Sequence, residues 1–219
     1  MPYAEPMAFQ LPRIYPILDS SAIPAQDRAE FLRDLGSSLA EAGVTLLEYR
    51  NKTGSDAEIV ADAAILRAAM PPTDVKLILD DRVDLVVQIE FDGVHVDTGD
   101  VTPSVARATL GHDRIIGTFG GSEALVPGVF DQPVDYLSIG PVFRTRTKQT
   151  SKPPIGLEGV RRLRAEAGSD AVLVAVGGIT LATAPDVIVA GANIIAAAGA
   201  IFRGPDPSAE FRRWIEVLG

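Results

Sequence analysis

The 219-residue chain sets 20 Lys and Arg against 29 Asp and Glu, a formal net charge of -9, so its own field disfavours non-specific attraction to nucleic acid or to an anionic membrane. Hydrophobic residues at 47% and charged residues at 22% describe an ordered globular chain rather than a disordered one. The lack of cysteine excludes disulfides and thiolate zinc sites, and two histidines, His95 and His112, are too few for a histidine-rich metal centre.

In chain order, Met1-Pro2-Tyr3-Ala4-Glu5-Pro6 lacks a basic start followed by an apolar core and so does not read as a signal peptide. Residues 1–11 are expected to form an N-terminal arm or a lid over the lower end of a barrel domain spanning residues 12–219. Strands are predicted at 14–18, 44–49, 75–79, 93–96, 114–117, 134–139, 171–176 and 193–198. Helices are predicted at 28–42, 55–70, 82–88, 102–110, more weakly at 123–130, and then at 157–167, 181–190 and 208–218. Ser55 ahead of Glu58 has the spacing of a capping box. Residues 187–202 are mostly apolar, but Gly191, Ala192 and Asn193 divide them into a helix end and a strand, short of a membrane span. The reading is a soluble protein, placed in the cytoplasm, with homo-oligomerisation left open.

Eight strands alternating with eight helices in 219 residues leave roughly 27 residues per unit, the size of a compact βα repeat. Several strands are apolar on both faces, as parallel strands are when crossover helices cover them. The fold class is therefore α/β, a single-domain (β/α)8 TIM barrel. A doubly wound open sheet shows the same alternation, but no G-x-G-x-x-G follows the first strand.

Ligand sites of such barrels lie beyond the carboxyl ends of the strands. There the sequence is polar: Glu48, Arg50 and Lys52 alternate after the second strand, Asp80 and Asp81 follow the third, and Asp97 and Asp100 the fourth. After the sixth comes Gly140-Pro141-Val142-Phe143-Arg144-Thr145-Arg146-Thr147-Lys148, a turn followed by hydroxyls and three cations, a composition suited to phosphate. Gly177-Gly178 and Ala198-Gly199 close the last two strands, where backbone amides can hold a phosphate. Carboxylates from separate strands, with neither thiolate nor histidine beside them, form a hard oxygen-donor set suited to Mg²⁺ shared with a phosphorylated ligand. Taken singly, Asp80 or Asp81 reads equally as the cap of the helix near Arg82, and Asp100 as a cap ahead of Thr102. Two anionic pockets emerge. One pairs Arg50, Lys52 and Lys148 with a metal; the other uses amides near Gly178 and Gly199 with the Thr145 and Thr147 hydroxyls. His95 reads as a satisfied barrel histidine, His112 as a turn residue and Trp214 as core.

This ordered set resembles the thiamine phosphate synthase and thiazole tautomerase family, and the synthase branch more closely. The resemblance runs from Tyr15 to Phe202 on Glu48-Tyr49-Arg50-Asn51-Lys52, Asp80-Asp81-Arg82-Val83-Asp84-Leu85, Asp92 through Asp100, Gly140 to Lys148, Gly177-Gly178-Ile179 and Gly191-Ala192. It implies a Mg²⁺-dependent transferase that joins hydroxymethylpyrimidine diphosphate to thiazole phosphate, with loss of pyrophosphate through a dissociative substitution. By position it implies that Arg50, Lys52 and Lys148 bind the diphosphate and act in catalysis, with Glu48, Tyr49, Asn51 and Asp80 among the substrate-binding residues. Asp81 and Asp100 would hold Mg²⁺, and Thr145, Arg146, Thr147, Gly178, Ala198 and Gly199 the thiazole phosphate.

The chain departs from the family pattern at five places. Glu48 stands for glutamine, Asp80 for asparagine, Asp97-Thr98 for Gly-Gln, Phe119 for serine and Arg144 for proline. Asp80 beside a diphosphate would be repulsive unless Mg²⁺ or Arg50 compensates. The tautomerase branch depends on a histidine where this chain has Gly120-Gly121. A phosphate-ligand sensor without turnover and a sugar-phosphate isomerase are the remaining readings, the last disfavoured by Arg50 and Lys148.

Overall fold

Alternation along each strand decides the architecture, because residues two apart share a face and both faces of every strand are buried. In the computed structural model, which describes residues 9–145 and 152–219, eight parallel strands close into a barrel in sequential order. The strands and the helices that follow them are β1 Ile14–Asp19, α1 Arg28–Glu41, β2 Leu46–Arg50, α2 Asp56–Ala69, β3 Lys76–Asp80, α3 Val83–Val86, β4 Gly93–Val96, α4 Pro103–Leu110 and β5 Ile115–Gly121. The chain continues with β6 Tyr136–Ile139, α5 Gly156–Ala167, β7 Leu173–Val176, α6 Ala184–Val189, β8 Ile194–Ala197, α7 Gly199–Phe202 and α8 Pro207–Leu218. Pairing of Ile14 with Ile195 and of Tyr15 with Ala196 closes the ring.

The core has two parts. Inside the barrel Tyr15, Leu46, Ile78, Ile115, Tyr136, Val174, Ile194 and Ala196 pack together, with Phe9 and Leu11 against them; residues 1–8 of the expected arm lie outside the described residues. Outside, Leu18, Leu47, Tyr49, Leu79, Val94, Ile116, Leu137, Ala175 and Ile195 face the helices. Gly117 makes room for the interior: a Cβ there would lie 2.0 Å from the Tyr136 ring.

One clamp recurs at the amino ends of β4, β6 and β8. Asp92, Asp135 and Asn193, each just ahead of its strand, accept the backbone N–H of Leu77, Ile116 and Leu173 in the preceding strand, at 2.9, 2.7 and 2.8 Å. Each is also bound by an arginine from the previous long helix, Arg67, Arg107 and Arg164. These clamps lie at the end opposite the strand C-termini.

Two predicted elements differ. Residues 123–130 form no α-helix, because Pro127 and then Gly128 at φ 72° interrupt the run, and a 3-10 turn, Val129–Asp131, takes its place. β5 runs on through Gly120 and Gly121 instead of stopping at Gly117. The Ser55 cap is formed, accepting from the Glu58 N–H at 3.2 Å. The Glu58 carboxylate does not close the box; it turns to Asn51 and Arg28.

Candidate active site

In β1 to β4 and in β6 the inward positions become polar toward the carboxyl end, while β5, β7 and β8 stay apolar, and at that end a cavity of about 430 Å³ opens. Tyr15, Ile17 and Asp19 reach it from β1, Glu48 and Arg50 from β2, Asp80 from β3, His95 from β4, Phe119 from β5 and Ser138 from β6. Its far wall is Gly140, Pro141, Arg144 and Thr145, the run Val176 to Thr180, and Ala196 to Ala200.

Charges meet on one side of this cavity. Arg50 Nε lies 2.9 Å from Asp80 Oδ2, and the Arg50 guanidinium also pairs with Asp19. Lys52 Nζ lies 3.2 Å from Asp80 Oδ2 and pairs with Asp81. The Asp80 carboxylate, 6% exposed, is therefore compensated by two cations of the chain itself. Burial works against the charged form of Asp19, yet hydrogen bonds from the Ser21 side chain and backbone and from Arg50 hold its carboxyl below the ordinary range.

Deeper in, Tyr15 donates to Glu48 Oε2 at 3.3 Å. Burial first, and the Asp80 charge second, push the Glu48 carboxyl up to about 8. It then keeps its proton at neutral pH and offers one donor and one acceptor, as the carboxamide of glutamine does. Burial also pushes the phenols of Tyr15 and Tyr136 upward, with charge repulsion adding to it. His95 stacks on Tyr136 at 5.6 Å, with Nδ1 3.1 Å from the phenol oxygen and Nε2 3.4 Å from Ser138 Oγ. It is a satisfied barrel histidine on the cavity wall.

The sequence-derived site residues divide by position. Glu48, Arg50, Asp80, Thr145, Gly178, Ala198 and Gly199 stand on the wall, with Lys52 and Asp81 joined to it by ion pairs. Gly178 has φ 69°, and a Cβ there would meet the Arg144 carbonyl oxygen at 2.4 Å, so the close approach of this turn to the β6 loop needs glycine. Tyr49 and Asn51 are corrections. The alternation that points Glu48 and Arg50 inward turns Tyr49 outward to Asp62 of α2, and the Asn51 amide is spent on Ser20 Oγ, Glu58 and the N–H groups of Thr53 and Gly54. Arg146, Thr147 and Lys148 lie outside the described residues.

The capping alternatives do not hold. Arg82, not Asp80 or Asp81, occupies the cap position of α3, and Thr102 caps α4 by accepting from the Val105 N–H. Asp100 instead accepts the Asp97 N–H at 2.7 Å and is off the wall, while Asp97 is on it. Asp81, at φ 74°, has a buried Oδ1 with no hydrogen-bond partner. An orphaned buried carboxylate oxygen fits a cation. No cluster of three or more metal-binding side chains occurs among the described residues, so a cation here would draw on its phosphorylated ligand for further oxygens. Asp19, Tyr15, Ile17, Ser138, Lys152 and Arg203 also line the cavity without having been singled out. For Asp19 the signal was available, since it ends the first strand as Arg50 ends the second.

A family described as thiamine monophosphate synthase matches residues 14–201, all eight strands from β1 and on into α7. The chain belongs to the thiamine monophosphate synthase family. The chain is similar to the thiamine-phosphate synthase of Koribacter versatilis, 36% identical over 209 residues that cover 95% of this chain and 97% of the relative. That of Agrobacterium fabrum is 37% identical over 192 residues, 85% of this chain and 87% of the relative. Among solved structures, the thiamine phosphate pyrophosphorylase from Pyrococcus furiosus superimposes with a TM-score of 0.78 at 25% identity, covering 94% of this chain and 95% of that one. A 3-hexulose-6-phosphate synthase, TM-score 0.66 at 18% identity over 94% of this chain and 100% of that one, shares the fold. Thiamine-phosphate synthesis, a transfer reaction on phosphorylated small molecules, is thus the chemistry that this member of the thiamine monophosphate synthase family serves. No described helix is long and apolar enough to cross a membrane.

Proposed function

We propose that the chain joins hydroxymethylpyrimidine diphosphate to thiazole phosphate in a Mg²⁺-dependent reaction that releases pyrophosphate, with the cytoplasm as its place of work. The observation that supports this most is the pair Arg50 and Lys52, bound to Asp19, Asp80 and Asp81 at the carboxyl ends of the first strands, with Arg50 and Asp80 on the cavity wall. In the reaction the C–O bond between the pyrimidine methylene and the diphosphate breaks, and its electron pair leaves on the diphosphate oxygen. The lone pair of the thiazole nitrogen then forms the C–N bond, and no proton has to move.

Arg50 and Lys52 bind the departing diphosphate and neutralise the charge it gains, the interaction that grows most toward the transition state. Lys148 acts with them in this reading. Asp81 and Asp100 are the residues that would hold Mg²⁺, and Asp81 brings the orphaned oxygen described above. The ion, when bound, adds positive charge to the leaving group.

Glu48, in its protonated form, presents a donor and an acceptor to the pyrimidine edge. Ile17, Val176 and Ile179 give the cavity a low-polarity stretch of wall, which in this reading keeps water from capturing a cationic methylene before the thiazole does. Gly178, Ala198 and Gly199, with Thr145, Arg146 and Thr147, receive the thiazole phosphate. Pyrophosphate and thiamine phosphate should appear in equal amounts from the two substrates with Mg²⁺ and stop with EDTA. Binding of both substrates without pyrophosphate release would refute the assignment.

A further inference from the structure

Behind the diphosphate side of the cavity lies a polar chain that the proposed reaction does not touch. α2 buries Ile59, Asp62, Ala63 and Leu66 on one face, so a carboxylate interrupts an apolar stripe. Asp62 is 2% exposed. Arg28, the first residue of α1, meets it with Nε and Nη2 at 2.9 and 2.6 Å. A buried charge mid-helix is costly unless fully partnered, and this one has a further partner, the Tyr49 hydroxyl.

The chain has one direction. An ionised carboxylate only accepts, so the Tyr49 hydrogen must point to Asp62, and burial followed by that carboxylate pushes the phenol upward and keeps the hydrogen in place. The phenol oxygen is left to accept, and it does so from Asn51 Nδ2 at 3.1 Å. With its NH₂ committed to Tyr49 and to Glu58 Oε1 at 2.7 Å, the Asn51 amide has a single orientation. Its oxygen therefore receives Ser20 Oγ at 3.0 Å, Thr53 N–H at 3.3 Å and Gly54 N–H at 2.8 Å. Tyr49 and Asn51 flank Arg50, and Asn51 and Thr53 flank Lys52. Gly54 completes the packing, since a Cβ there would lie 2.4 Å from Asn51 Nδ2.

We propose that Asp62, Tyr49 and Asn51 are positioning residues: a hydrogen-bond relay of fixed direction, anchored by Arg28, that sets the β2–α2 loop and so the placement of Arg50 and Lys52 on the diphosphate. This inference rests on the reading of those two cations as the diphosphate clamp. It explains why Tyr49 and Asn51, which face away from the cavity, sit inside the segment that carries the clamp. Small displacements of such groups have large kinetic effects.

The test compares steady-state kinetics of Tyr49→Phe, Asp62→Asn, Gly54→Ala and Lys52→Ala, with Asp135→Asn as a control that breaks a comparable ion pair at the opposite end of the barrel. Each is assayed well below its own melting temperature with folding checked by circular dichroism. Tyr49→Phe, Asp62→Asn and Gly54→Ala are expected to lower kcat/KM for the pyrimidine diphosphate roughly 10- to 100-fold while leaving KM for the thiazole phosphate unchanged. Asp135→Asn should lower the melting temperature and leave both substrates' constants at the wild-type level. Because Asp62 reaches Asn51 through Tyr49 while the Arg28–Glu58 pair reaches it in parallel, Tyr49→Phe combined with Asp62→Asn should lower kcat/KM by less than the product of the two single effects. Wild-type constants in Tyr49→Phe and Gly54→Ala beside an impaired Lys52→Ala would overturn the relay alone. An equal rise in both substrates' KM would reduce it to a folding effect, and a fully active Lys52→Ala would overturn the clamp and the relay with it.

Discussion

Glu48→Gln tests whether the depth of the cavity carries a proton at neutral pH. The Glu48 carboxyl titrates near 4.5 when solvated and is pushed up to about 8 in the barrel, by burial first and by Asp80 second. Between those values the folded protein holds a proton that the unfolded chain has lost, so stability falls as pH rises through this window and is level on either side. The whole difference is worth on the order of 5 kcal/mol, at ~1.4 kcal/mol per pH unit. The assay is urea denaturation of wild type and Glu48→Gln in EDTA at intervals from pH 5 to 9. The substitution keeps the shape and the acceptor for Tyr15, so any effect of packing is a constant offset. The stability of the variant relative to wild type is expected to climb through the window by several kcal/mol and then level off. Asp80→Asn should shorten the window from its upper end in part only, because burial is the larger cause. A difference between wild type and Glu48→Gln that stays constant from pH 5 to 9 would refute the reasoning.

Three further substitutions probe other parts of the account. Gly117→Ala places a methyl group against the Tyr136 ring and should cost about 1–3 kcal/mol by overpacking, read as a lower urea midpoint; an unchanged midpoint would mean that the interior has slack. Gly178→Ala forces a side chain into a left-handed turn against the Arg144 carbonyl, and KM for the thiazole phosphate should rise at least ~10-fold, with KM for the diphosphate substrate unaltered. Asp81→Asn removes the carboxylate with the orphaned oxygen, so calorimetric Mg²⁺ affinity in the presence of pyrophosphate should fall ~10-fold or more, and an unchanged isotherm would remove Asp81 as a ligand.

The barrel was legible because its signals are local. β4 was read at its observed bounds, since Gly93-Val94-His95-Val96 is bracketed by turn residues, and the eight apolar runs are too short and too evenly spaced for most other folds. Residues 123–130 have helix-like apolar spacing, but Pro127 and Gly128 forbid a continuous helix there. At the site, strand alternation located Glu48 and Arg50, and the same rule places Tyr49 on the outer face. Asn51 and Asp62 were not legible in this way, because Asp62 meets Arg28 of α1 and Tyr49 of β2 at 34 and 13 residues' separation, and Asn51 meets Ser20 at 31. Asp19 escaped notice although its place at the end of β1 is equivalent to that of Arg50. The partnering of Asp80 by both Arg50 and Lys52 needed the register of β2 on β3, which no local pattern encodes.

The central claim is that Arg50 and Lys52 form the diphosphate clamp at the mouth of the barrel. The most direct measurement is a crystal structure of the protein soaked with pyrophosphate and MgCl₂. The account predicts pyrophosphate density in the 430 Å³ cavity, within hydrogen-bond distance of Arg50 and Lys52 and with a cation against Asp81. Pyrophosphate bound on the Gly178 and Gly199 side, or away from both cations, would contradict it.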